Sequence, residues 1–129
     1  MGVAVFIFNR LTEDATVSGL VGTKVYPDKA PQDQVAPYVI YQTLFVDPKD
    51  TKDGASELDF ENVQIDCYST SRDEAETLAE AVRTSIDRFS GTQTGQAITS
   101  VRFLTKQTIH IWEMEMFLIS HDYQIMLPR

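Results

Sequence analysis

Two histidines, His110 and His121, fall in two apolar, β-branched stretches near the C-terminus, with Glu113 and Asp122 close by in sequence. Imidazole nitrogens and carboxylates are donors that a divalent metal accepts, but a site needs three or four of them converging, with a supporting shell. Alternation along a strand sends His121 and Asp122 to opposite faces, so only one of the two can join His110. The ordinary reading is a pair of sheet histidines. Cys67 shares an apolar row with Val63 and Ile65. A nucleophilic cysteine needs an exposed thiol of low pKa, whereas this row places the sulfur in a core. As the one cysteine, it makes no internal disulfide. Glu74, Glu76 and Glu80 are the densest run of carboxylates on a helix-forming stretch; Glu76 and Glu80 stand at i and i+4, which describes a solvated helix face. No glycine-rich phosphate loop and no nucleophile elbow is present. These residues predict neither an enzyme nor a cofactor or metal site.

The elements that would carry these residues centre on Phe60 to Phe89. Val63, Ile65 and Cys67 alternate with Gln64, Asp66 and Tyr68, the period of a strand with one buried face. Ser71 followed three residues later by Glu74 is a capping box, and Thr70 with Asp73 offers the same chemistry one residue earlier. Ala75, Leu78, Ala79, Val82, Ile86 and Phe89 then recur at helical spacing, and Ser90-Gly91 supplies the stop. The pattern predicts a helix of roughly 28 Å at about 1.5 Å per residue.

Upstream, Val3 to Leu11 reads as a first helix with Phe6, Ile7 and Leu11 available for burial, and its β-branched and aromatic content also permits a strand. Thr12-Glu13-Asp14 caps a second, which runs to about Leu20 and ends at Gly22. Val25-Tyr26-Pro27 is extended, and Pro27, Pro31 and Pro37 punctuate a loop. Tyr38 to Val46 is a strand, Asp47 to Glu57 a charged loop, and Leu58 to Tyr68 a second, antiparallel strand. Downstream, Ile98 to Ile111 and Met116 to Leu127 form a hairpin turning near Trp112 to Met114, with Val101, Phe103, Ile109 and Ile111 at one parity. Grouped elements of this kind predict an α+β fold: a largely antiparallel four-stranded sheet with a long helix and short N-terminal helices packed on one face.

The totals agree with a single domain over residues 1–129. A hydrophobic share of 43% supports an ordinary core, and the net charge of −8 repels nucleic acid in the absence of a local basic cluster. No run approaches the roughly 20 apolar residues of a membrane span, and Met1 to Phe8 lacks the charged start and cleavage site of a secretory signal. A soluble protein without a membrane partner is expected.

Three segments together carry a resemblance. They are Leu20 to Pro27 after Asp14-Ala15; Ala30-Pro31-Gln32 followed by Ala36 to Gln42; and Val63 to Tyr68 with the Ser/Thr cap and the helix containing Ala75-Glu76 and Leu78-Ala79. In this order and spacing they resemble the tail-completion (tail-terminator) proteins of long-tailed bacteriophages, over about two-thirds of the chain. Lys24 stands where that family more often has arginine. The resemblance implies a structural role at the head-proximal end of a virion tail, with assembly in the host cytoplasm. The subunit would join copies of itself in a ring, typically a hexamer, that caps the tail-tube protein and meets a head-connector protein, while DNA passes through without specific binding. A closed ring needs two different complementary faces on each subunit, and a DNA channel benefits from an acidic lining. Two stretches are candidates for these duties. Trp112, Met114, Met116 and Phe117 form a dense apolar cluster, either core or an interface patch. Asp47, Asp50, Asp53 and Glu57, with Lys49 and Lys52 among them, mark a lumen or assembly loop. Two other readings stay open: a head-closure component of the same connector, and a small α+β ligand-binding domain or enzyme using His110 and His121.

Overall fold

The computed structural model describes residues 2–51, 54–93 and 95–128. Helix α1 (Val3–Glu13) presents Val3, Phe6, Ile7 and Leu11 on one stripe, all buried. Helix α2 (Ala15–Val21) starts at Asp14, whose carboxylate accepts from the N–H groups of Thr16 and Val17, and ends at Gly22 with φ 62°. Both ends are as the sequence predicts: a short acid satisfies free N–H groups, and a left-handed residue closes the last turn.

The next elements are β1 (Val25–Pro27), β2 (Tyr38–Thr51), β3 (Gly54–Ser69), α3 (Arg72–Ile86), β4 (Gly91–Gln93), β5 (Gln96–Ile98), β6 (Ser100–Ile111) and β7 (Met116–Pro128). The main sheet has the order β1-β2-β3-β7-β6, and β4-β5 is a separate ribbon. The sheet is therefore five-stranded and mixed, not four-stranded and antiparallel as predicted. The addition is β1, which pairs in parallel with β2 from Val25 opposite Val39 to Pro27 opposite Tyr41. Three residues are too few to show a period, so only "extended" was legible.

Helix α3 departs from expectation in length. Ser71 caps it, accepting from Glu74 N–H, and Ala75, Leu78, Ala79, Val82 and Ile86 are fully buried. It stops at Ile86 after 15 residues, about 22 Å at the usual rise, and is one of three helices rather than one dominant element. The cause lies in the two residues that follow. Asp87 is extended and Arg88 takes φ 63°, which turns the chain onto the edge of β6. There Arg88 N–H donates to the Val101 carbonyl (2.9 Å) and an Asp87 carboxylate oxygen accepts from Phe103 N–H (3.3 Å). Phe89 leaves the helical stripe and packs on Phe6, with the Arg10 guanidinium 4.6 Å over its ring.

The predicted charged loop is a second correction. β2 runs to Thr51 and β3 begins at Gly54, so Asp47 and Asp50 lie in β2 and Glu57 in β3, while Asp53 lies outside the described residues. Backbone pairing continues from Asp47 opposite Phe60 to Thr51 opposite Gly54. Strand β7 ends at Pro128, opposite Leu58, so beyond that point the hairpin is a two-stranded arm projecting past the sheet. Acidic composition read as loop because it carries no period; the ladder inherited from the apolar part of β2 and β3 decides the conformation instead.

A bulge supplies the third correction. Phe103 pairs with Tyr123 and Thr105 with Asp122, leaving Leu104 as the extra residue. One inserted residue exchanges the two faces for the rest of the strand. Val101 and Phe103 therefore share the helix side of the sheet, whereas Ile109 and Ile111, opposite Leu118 and Met116, lie on the other. Behind the helices, Val39, Val63, Ile65, Cys67, Ile119, Tyr123 and Ile125 close one core with α1, α2 and α3.

Candidate assembly interface

The groups with chemical potential are dispersed and sequestered. His110 stands opposite Phe117 and His121 opposite Lys106, four residues apart along β6, so the two imidazoles do not meet. Among the described residues no three His, Cys, Asp or Glu side chains converge. His121 is 1% exposed. Its Nδ1 lies 3.0 Å from the Tyr123 hydroxyl, Phe103 meets its ring edge-on, and its Nε2 has no partner. Burial, then the nearby Lys106 ammonium, lowers its pKa from 6.5 to about 4, against the opposing pull of Glu80. Cys67 is fully buried, and burial with the adjacent Asp66 carboxylate pushes its thiol far up, so no thiolate forms there at neutral pH.

The carboxylates of α3 are occupied or solvated. Glu74 accepts from the Ser69 hydroxyl (2.5 Å), while that same oxygen accepts from Ser71 N–H (3.1 Å). The capping box is thus relayed through Ser69, which the sequence did not show. Glu76 pairs with Lys106 at 2.7 Å. Glu80 lines a shallow hollow of about 220 Å³ with Asp14, Thr16, Thr77, Ala81 and Thr84.

The apolar cluster at the β6–β7 turn divides. Met116 is buried and Phe117 half-buried, whereas Trp112 is 79% exposed and Met114 56%. The turn is held by Met114 N–H to the Ile111 carbonyl and Glu115 N–H to the Trp112 carbonyl, with Glu115 at φ 52°. His110 stacks on Phe117 (4.5 Å between centroids, 12° between planes) and Trp112 lies 4.0 Å from His110. These rings hold the tip rigid while leaving its outer surface bare.

Two concavities flank that tip. One, of about 470 Å³, is lined by Thr70, His110, Trp112, Met114, Glu115 and Phe117. The other, of about 410 Å³ on the far side of the sheet, includes Pro31, Gln34, Tyr38, Tyr68, Ile111 and Met114. Its floor is the stacked pair Tyr38 and Tyr68, 4.9 Å apart, from directly opposed positions on β2 and β3. Sequence reasoning missed this pair; the available signal was an aromatic at the start of one strand and at the end of its antiparallel neighbour. The arm and the tip sit at opposite ends of the sheet, because β7 starts beside the tip at Met116 and ends beside the arm at Pro128.

An apolar tip, an aromatic-floored cleft and a projecting arm are the prominent features of the described surface. A profile of the family described as tail completion protein gp17 matches residues 6–127. Among solved structures, a chain from the virion of a native gene transfer agent particle shares the fold, with a TM-score of 0.74 and 22% identity over 95% of this chain and 92% of that one. No curated protein matches. With the family profile spanning nearly its whole length, the chain belongs to the tail completion protein gp17 family and is a structural protein of a phage-type tail.

Proposed function

We propose that this protein caps the tail tube as a ring, six copies around an axis, and takes part in joining head to tail. The observation that carries the reading is the placement of two unlike projections, the β2–β3 arm and the Trp112–Met114 tip, at opposite ends of one rigid sheet. A closed ring of identical subunits uses such a pair, because each heterologous contact joins one surface of a subunit to a different surface of the next. Trp112 and Met114 contribute the contact area, with Met116 and Phe117 packed beneath them; Trp and Met are enriched where interfaces are driest. Asp47, Asp50, Asp53 and Glu57 belong to the assembled ring, at the subunit contact or the channel wall, where negative charge keeps phosphates from sticking. The tail-tube and head-connector proteins are the partners above and below.

The test is assembly without the protein and with it restored. Tails made in its absence are expected to be overlong or unjoined to heads, and addition of the wild-type chain restores them. Normal length and normal joining without it refute the role. Leakage of packaged DNA from heads bearing normal tails assigns it to head closure instead.

A further inference from the structure

The two outer strands of the sheet leave backbone unpaired in a matched way. On β6, residues 100–103 are covered by the turn after α3, through Arg88 on Val101 and Asp87 on Phe103. From Leu104 to Ile111 its outer side faces no described strand. On β2, residues 39–41 are covered by β1, and from Gln42 to Thr51 the outer side faces no described strand. Eight residues on one edge therefore answer ten on the other. Each open stretch contains a bulge whose extra residue is an exposed leucine, Leu44 (45%) on β2 and Leu104 (40%) on β6.

Direction and charge match as well. Following β2-β3-β7-β6, every neighbour is antiparallel, so β2 and β6 themselves run in opposite directions. A second copy placed edge to edge continues that antiparallel alternation without inversion. Within the open stretches, β6 carries Lys106, which also pairs with Glu76, and no acid, while β2 carries Asp47 and Asp50 against Lys49. Unpaired N–H and C=O rows of this length recruit another strand unless blunted. The bulge and Lys106 blunt the β6 edge against arbitrary strands, which favours a partner of fitted shape and opposite charge.

We infer that the Leu104–Ile111 edge of one copy binds the Gln42–Thr51 edge of the next by antiparallel strand addition, continuing the sheet from subunit to subunit. The copies are staggered along the strands, as in any closed sheet, because β1 occupies the start of the β2 edge. This rests on the ring reading above and adds a backbone seam between neighbouring copies to the tip and arm contacts proposed there.

Hydrogen exchange measured on the free chain and on the chain assembled on tail tubes tests it. The outward-facing amides within residues 42–51, where Pro48 has none, and within 104–111 are expected to slow by about tenfold or more on assembly, as newly bonded strand amides do. Independently, Val46→Cys and Thr108→Cys variants, at exposed positions that share the helix side of the sheet and each folded by circular dichroism, are oxidised separately and as a mixture; the buried Cys67 does not compete. A disulfide-linked dimer is expected from the mixture alone. Rings whose edge amides exchange as in the free chain, or cross-linking of either variant by itself, overturn strand addition while leaving the ring intact. Failure to form any assembly on tubes overturns both.

Discussion

The inward row of β7 and the tip that precedes it are neighbours in sequence and opposites in circumstance. Ile119, His121, Tyr123 and Ile125 are packed dry against the helices, whereas Trp112 and Met114, a few residues earlier, stand in solvent. Burying a large apolar side chain contributes roughly 1.5–3 kcal/mol, and the inner row has drawn on that gain. The tip has not. Its apolar area is still available, so the first region holds the fold together and the second is the surface we propose meets a partner.

The comparison breaks if substitutions in the two regions behave alike. The largest effect is expected for Leu78→Ala, beneath α3, which removes a fully buried side chain and should cost about 2–5 kcal/mol, read from urea midpoints. Next is pH. The folded-state pKa of His121 is lowered from 6.5 to about 4, so the neutral ring is the form the native state prefers. Its contribution is complete above pH 6.5 and is lost as pH falls toward 4, by up to about 3 kcal/mol. His121→Leu should flatten that slope between pH 7 and pH 4.5; an unchanged slope assigns the acid sensitivity elsewhere. Ser71→Ala removes the α3 cap and should cost about 1 kcal/mol. Smallest on stability is Trp112→Ala, expected within about 0.5 kcal/mol of wild type, yet tails complemented with it should join heads poorly. A Trp112 variant that unfolds the protein, or one that assembles normally, removes the distinction between the regions.

Legibility followed burial and local chemistry. The α3 cap could be read because Ser71 and Glu74 have a fixed geometric relation, and the buried stripe from Ala75 to Ile86 because one face of a helix repeats. Its end could not, since Arg88 turns left-handed to reach a carbonyl on a strand still to come. The bulge at Leu104 left no trace because Phe103 and Leu104 are both apolar, and either could continue the alternation. The arm was misread because its charged residues carry no apolar period, which in a sequence reads as a loop. In the candidate interface, Trp112 and Met114 could be singled out by type and placed in the turn, but which of the four side chains the fold buries needed the packing around Met116 and Phe117.

Strand β3 has one further consequence. It begins in the arm at Gly54 and ends at Ser69, where one hydroxyl ties it to the start of α3. It is laced to β7 on one flank from Leu58 to Ser69 and to β2 on the other from Asp59 to Tyr68. A pull on the arm along the strand axis is therefore carried as shear across two ladders at once, whose bonds must fail together rather than unzip singly. For a structural protein of a phage-type tail, resistance to force along that axis is built into the backbone itself.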